Sequence, residues 1–348
     1  MSVASPSTPS PQARKYSRYH HTFALARLLL SLFLLAAPSF THAQSTTPPL
    51  HSAHPLIIKM NVDLVDLHAT VVDKKGRLVS GLVQNDFQIY EDYVPQQINF
   101  FSHEDVPVTV GLVIDNSGSM KPKVADVITA ALAFANSSNP DDQIFEVNFN
   151  EHVSFGLPEK MPFTSQPIQL GLALSTIQAD GQTALYDAIA AALDHLKLGS
   201  RDKKVLIIVS DGGDNASKLH LAQILTLAEQ SEVIIYTIGI FDDNDADRNP
   251  DVLRQLAKKT GGEAYFPPTF ADITPACVRI AHDIRSQYTL AYLPTNTAVD
   301  GSYRTIQVKA ADPSLGPLSV RTRTGYIVPL ASSPTSSPAP QSASKPSR

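Results

Sequence analysis

The chain has 348 residues, with 28 Lys+Arg against 33 Asp+Glu for a net charge of −5, and a single cysteine, Cys277. No Arg/Lys run is present to neutralise a phosphate backbone, which argues against a nucleic-acid partner. One cysteine excludes an intramolecular disulfide, so stability must come from core packing.

Residues 1–43 read as an export signal. Arg14, Lys15, Arg18 and Arg27 give a basic start without any acidic residue, and the apolar run "LLLSLFLLAA" (28–37) follows. Thr41-His42-Ala43 has the small-x-small form of a cleavage site, which puts the cut after Ala43. The run is short of the ~20 residues of a membrane span. The expectation is a secreted or periplasmic protein with no membrane span after cleavage; retention of the segment as an anchor is the alternative. Without it the chain keeps 24 Lys+Arg against 33 Asp+Glu, a net −9.

Residues 44–60 are Pro/Ser-rich and weakly apolar, as is the tail from 329 to 348, and both compositions predict disorder. From 61 to 104 the pattern is β, with Val65, Leu67, Ala69 and Val71 alternating, a turn at "DKKG" (73–76), and the pairs Phe87/Ile89 and Ile98/Phe100. About four short strands are expected here. Over 105–287 the character changes. "VTVGLVI" (108–114), "KKVLIIVS" (203–210) and "EVIIYTIGI" (232–240) are near-continuous apolar runs, as in strands covered on both faces, and "DQIFEVNF" (142–149) is a weaker one. Helical patterns lie between them at 123–138, 184–198, 219–230 and 251–262, and a last helix is expected over 270–287. Asn249-Pro250 marks a helix start and Gly261 a helix stop. This alternation predicts an α/β fold, a doubly wound, mostly parallel, Rossmann-like sheet. The β pattern returns over 288–328, with about three strands. Either β segment alone is small for independent stability. The two are therefore expected to pair into one β-sandwich, with the α/β domain inserted between them.

In such a sheet, ligands bind beyond the carboxyl ends of the strands. Asp115, Ser117 and Ser119 follow the first apolar run in "IDNSGSM"; Asp211 follows "VLIIVS" in "SDGGDN"; Thr183 stands before "ALYDAI". Two carboxylates and three hydroxyls are hard oxygen donors, with neither Cys nor His among them. That set suits a hard divalent cation, Mg²⁺ first, with Mn²⁺ or Ca²⁺ also open. Gly118 is expected to leave room for the loop to fold over. Bland readings compete: Ser and Asp cap helices, Thr183 can cap the helix it precedes, Asp211-Gly212 can be a simple turn, and Asp214 can replace Asp211.

The D-x-S-x-S run, the distant Thr and the strand-end Asp resemble the metal-ion-dependent adhesion site of von Willebrand factor type A domains. "DNSGSM", "GQTALYDAI" and "SDGGDN" also resemble a bacterial VWFA-related family of exported proteins, over about residues 61–328. The resemblance implies that Ser117 and Ser119 ligate the metal directly, Thr183 does so when ligand is bound, and Asp115 and Asp211 act through water or singly. It also implies one open coordination position, filled by an Asp or Glu carboxylate of a protein partner, in a cell-adhesion type of role. In family members that switch affinity the last helix slides; here that helix leads straight into Tyr288, with a rigid junction as the alternative.

Other candidates point elsewhere. "FDDNDADRNPD" (241–251) spaces Asp243, Asp245 and Asp247 like a Ca²⁺ loop, but Arg248 and Arg254 stand where Gly and Glu are needed. His103 sits at a domain junction and is expected at the surface; His152, His195 and His220 are unclustered and read as surface or packing residues, and Cys277 reads as a buried structural thiol. No G-x-S-x-G, Walker or dinucleotide motif occurs. A Mg²⁺-dependent hydrolase is the one enzyme reading left, since Mg²⁺ could polarise a phosphoryl oxygen, but no obvious base or Lys/Arg clamp accompanies it. The function expected is therefore a non-enzymatic, metal-dependent protein-binding module, with a scaffold carrying a structural or vestigial metal site as the alternative. Oligomeric state is not readable.

Overall fold

A computed structural model describes residues 64–176, 178–241 and 248–330. The expected export signal over 1–43, the expected 44–60 linker, nearly all of the tail and the acidic stretch with Asp243, Asp245 and Asp247 lie outside the described residues.

The six-stranded sheet runs in the order β10-β9-β8-β5-β6-β7. Its strands are β5 (Thr109–Asp115), β6 (Gln143–Phe149), β7 (Val153–Phe155), β8 (Lys204–Ser210), β9 (Ile234–Gly239) and β10 (Ala264–Tyr265). All pairings are parallel except β6 with the edge strand β7. Every residue of β5 is buried, because helices cover both faces of the sheet. Val110, Leu112 and Ile114 pack toward α1 (Val124–Ser137), α2 (Pro167–Leu174) and α6 (Ile273–Arg285), while Val113 faces α3 (Leu185–Leu196), α4 (Leu221–Gln230) and α5 (Pro250–Thr260). Period-two alternation divides each strand between two cores. A fully buried Leu or Ile contributes roughly 1.5–3 kcal/mol. Asn249 caps α5 through its side chain with Pro250 at the first position, and Gly261 ends the helix at φ 86°.

The flanking segments pair with each other. One sheet runs β13-β1-β11-β4 and the other β14-β12-β2-β3. The first segment supplies β1 (Val65–Val72), β2 (Phe87–Glu91), β3 (Val94–Gln96) and β4 (Ile98–Ser102); the second supplies β11 (Tyr288–Tyr292), β12 (Tyr303–Ala310), β13 (Ser319–Arg321) and β14 (Gly325–Ile327). Leu67 stands opposite Leu290 and Ile89 opposite Val308. Both sheets face one core containing Leu67, Phe87, Ile89, Tyr288, Leu290, Ile306 and Val308. The second segment thus has four strands where three were expected, because β13 and β14 interrupt the apparent single run 318–328. Leu330 also bridges to Asp300, just beyond the expected end of order. α2, β7 and β10 are additional; each is short and carries little periodic signal.

The junction between α6 and the sandwich is buried and polar. Asp283, in the last turn of α6, accepts from Thr70 Oγ1 of β1 at 2.7 Å and pairs with Arg321 of β13. Gln287 donates to Thr70 at 3.2 Å and to the Tyr236 hydroxyl at 3.1 Å. His103 lies at this junction as well: it stacks on Tyr288 with ring centroids 4.1 Å apart, where a surface position was expected. The ring stacks because Tyr288 has no exposure and offers a flat apolar face beside the chain crossing.

Candidate metal centre

β5 delivers Asp115 to the carboxyl rim of the sheet at 1 % exposure. Its Oδ1 accepts from Ser117 N at 2.9 Å, which turns the chain back over the strand end. Its Oδ2 accepts from Ser210 Oγ, the last residue of the adjacent β8, at 2.7 Å. Burial pushes the Asp115 carboxyl up to about 6; the bonds from Ser117 and Ser210 pull it down, and the charge of Asp211 pushes it up again. Ser117 Oγ lies 3.3 Å from Ser119 Oγ, and Ser119 Oγ donates to Asp211 Oδ2 at 3.0 Å. Asp211, 3 % exposed, uses Oδ1 to accept from Gly213 N at 2.9 Å. Four of the five sequence-derived residues are therefore joined in one hydrogen-bonded chain.

Thr183 reaches the same place through its backbone. Thr183 N donates to Asn215 Oδ1 at 2.9 Å, and Thr183 O accepts from Asn215 N and Ala216 N. On its other side, Gly118 N donates to Gly181 O at 3.1 Å, and Asn116 bonds the 178–180 segment through backbone and side chain. The Thr183 loop is thus stapled to both Asp loops, and Thr183 itself is 7 % exposed. Ser210, Asn116 and Asn215 were not among the expected residues. Ser210 was legible as the neighbour of Asp211; the two Asn residues act through contacts between distant loops that carry no local pattern.

Capping does not account for the cluster. Ser117 precedes a short 3₁₀ turn (Gly118–Met120) but makes no side-chain cap bond. The N-cap of α3 is Ala184, not Thr183. Asp214 serves that helix instead, accepting from Tyr186 N at 3.2 Å and from Ser217 Oγ at 2.5 Å, so it does not take the place of Asp211. Asp211 does make the Asp-Gly turn, and in addition accepts from Ser119. The expected steric role of Gly118 is corrected: a Cβ there meets only Gly181 O at 3.5 Å, an ordinary contact. The demand falls on Gly181 (φ +80°), where a Cβ would come 1.8 Å from Glu151 Oε2, and on Gly212 (φ +79°), where it would come 2.4 Å from Asn249 O.

The donor set fits a hard dication. All five side chains offer oxygen, and two carboxylates are buried beside each other. None of the ion pairs among the described residues involves Asp115 or Asp211. No group of three or more His, Cys, Asp or Glu side chains is placed to hold a metal among the described residues, so a nitrogen- or sulfur-rich centre is not formed there. His195 packs among Phe145, Phe155 and Phe163, and Cys277 is buried in the α1/α6 core with its thiol pushed up to about 12 by burial.

Residues 109–276 match the family model for the von Willebrand factor type A domain. No curated protein matches the chain. Among solved structures, it is similar to a von Willebrand factor type A protein from Catenulispora acidiphila, at 14 % identity over 78 % of this chain and 74 % of that one with a TM-score of 0.46. It is also similar to the vWF domain of the type V pili tip protein Mfa5 from Porphyromonas gingivalis, at 15 % identity over 52 % and 95 % of the two chains with a TM-score of 0.44. An aerotolerance-related membrane protein from Bacteroides fragilis NCTC 9343 aligns at 16 % identity over 51 % and 98 %, with a TM-score of 0.41. Domains of this family commonly serve protein–protein interaction and adhesion and are generally non-enzymatic. No helix among the described residues is long and apolar enough to cross a membrane. From its family match and its doubly wound sheet, the segment 109–276 is a von Willebrand factor type A domain, carried between the two halves of a β-sandwich.

Proposed function

We propose that this chain is an exported, metal-dependent protein-binding module in which Asp115, Ser117, Ser119, Thr183 and Asp211 hold a Mg²⁺-type cation. The observation that carries this reading is the pair of buried carboxylates, without a cationic side chain on either, linked by two hydroxyls at the carboxyl rim. Burial is the main upward push on Asp115, and the charge of Asp211 adds a smaller one in the same direction. A dication bound there would supply a fixed positive centre that attracts a third anion, such as an Asp or Glu carboxylate of a partner protein. The protein's own part is orientation. Ser210 and the Ser117 amide fix both oxygens of Asp115. The Asn215 staple fixes the backbone of Thr183 and leaves its side chain to respond to ligand. Ser119, whose hydroxyl donates to Asp211, keeps a lone pair that could face the ion while that bond orients the oxygen. The generally non-enzymatic character of the family favours binding without bond chemistry.

Affinity capture from an envelope fraction tests this, with wild type and Asp115→Ala compared in Mg²⁺ and in chelator. Capture that needs both Mg²⁺ and Asp115 supports the module. Capture of the same partner by all four combinations identifies a scaffold whose contacts lie elsewhere, in the sandwich.

A further inference from the structure

Glu146 and Asn148 stand two residues apart on β6, on the face that Ile144 turns toward α1 and α2. Both are buried, at 0 % and 5 % exposure. Glu146 fills the space over Gly156, the residue directly after the neighbouring strand β7, where a Cβ would lie 1.9 Å from its Oε1. Asn148 Nδ2 donates to Glu146 Oε1 at 3.5 Å. The two remaining oxygens, Glu146 Oε2 and Asn148 Oδ1, are buried with no hydrogen-bond partner. Each is an acceptor, and a carboxylate has no proton to give. Leaving two buried acceptors unpaired is costly.

One proton resolves both. Placed on Oε2, it turns that atom into a donor to Asn148 Oδ1 and closes a ring of two hydrogen bonds, N–H to Oε1 and O–H to Oδ1. We infer that Glu146 is held as a neutral carboxylic acid paired with Asn148, so that the stability of the type A domain is linked to the proton it carries. Burial pushes the Glu146 carboxyl up to about 7, against the downward pull of the N–H groups of Glu146, Gly156 and Leu157, and no charged neighbour contributes. The surroundings agree. β7 and α2 carry no titratable side chain, and α1 carries only Asp126, which is exposed. The one titratable residue of β5, Asp115, alternates with Ile114 and so faces the other side. α3, with Tyr186, Asp187, Asp194 and His195, packs on the opposite face of β6.

The sign follows from linkage. A carboxyl whose folded value lies above its ordinary 4.5 binds its proton more tightly when folded. The resulting stability is present at low pH, declines as pH rises from about 4.5 to 7, and is absent above. The span corresponds to a ~300-fold change in the folding equilibrium constant. Asp115 and Asp142, both pushed up to about 6, act with the same sign, so the test is a difference between variants. Glu146→Gln keeps both hydrogen bonds, with an N–H in place of the O–H, and cannot ionise. Urea unfolding of wild type and Glu146→Gln is measured from pH 4.5 to 8. The variant should lose ~100-fold or more of the wild-type pH dependence and be the more stable protein at pH 8. Independently, the ¹³C resonance of the Glu146 carboxyl in the wild-type chain should titrate near 7, a reading that stands even if the variant fails to fold. A Glu146 midpoint near 4.5, or a wild-type pH slope retained in Glu146→Gln, overturns the inference.

Discussion

Arg321→Ala should uncouple the sandwich from the last helix of the type A domain. Arg321 is the only cation paired with Asp283 among the described residues, and Asp283 has 1 % exposure. Burial pushes the Asp283 carboxyl up, while the Arg321 charge, the Thr70 hydroxyl and the Tyr236 hydroxyl pull it down. Removing the guanidinium leaves the carboxylate with hydroxyl hydrogen-bond partners and the charge of Lys203, which lies outside ion-pair distance. Breaking a buried pair in this way costs about 3–5 kcal/mol. The more exposed contact of Arg321 with Glu263 adds little to that. The deficit should grow with pH. Without Arg321 the folded-state value of Asp283 rises further above its unfolded value, so the folded protein prefers the protonated acid, and stability falls as pH climbs through that raised value. Urea unfolding at pH 5 and pH 8 reads both effects. A loss below about 1 kcal/mol, or one equal at the two pH values, would refute the assignment of this pair as the tie between α6 and β13.

Three further outcomes follow from the same contacts. Thr183→Ala should weaken partner binding more than Mg²⁺ binding, because the backbone staple to Asn215 survives the change; calorimetry with each ligand separates the two. Gly181→Ala combines a left-handed backbone with a Cβ 1.8 Å from Glu151 Oε2; it should cost ~1–3 kcal/mol by urea unfolding and lower metal affinity as well, since Gly181 O holds Gly118 N. In the sandwich, Glu91 and Arg304 form an ion pair with 2 % exposure on each side chain, and Tyr292 and Tyr326 donate to Glu91 at 2.7 and 2.8 Å. Glu91→Ala should destabilise by about 3–5 kcal/mol, a loss visible by thermal unfolding, whereas a replacement of both charges by matched apolar residues should lose much less.

The legibility of this fold followed its periodicity. β5, β8 and β9 are continuous apolar runs because both faces are covered, and the five major helices show clear apolar stripes. The pairing of the two β segments followed from size, since neither half could bury enough surface, and from the closeness that a doubly wound domain with a final helix allows between its two chain ends. β6 read as weak for a physical reason: Glu146 and Asn148 interrupt its apolar alternation on a buried face, and only tertiary structure reveals what surrounds them. α2 begins with Pro167 and runs eight residues, β7 has three and β10 has two, all too short to establish a period. At the rim, residue types and strand ends pointed to Asp115, Ser117, Ser119, Thr183 and Asp211. The Asn116 and Asn215 staples and the real demand for glycine at 181 and 212 depend on loops meeting across 30 to 70 residues of sequence, which no local pattern encodes.

Titration calorimetry with Mg²⁺ and Mn²⁺ on wild type and Asp115→Ala tests the central claim most directly. Asp115 ends a strand at the carboxyl rim, buried but outside the apolar cores, and its bonds go to Ser117 and Ser210 at the same rim, so the variant should keep its fold by circular dichroism. The account predicts that wild type binds the cation and that Asp115→Ala does not bind it measurably. Equal metal affinity in the two folded proteins would contradict the account and return "DNSGSM" to a loop held only by its own hydrogen bonds.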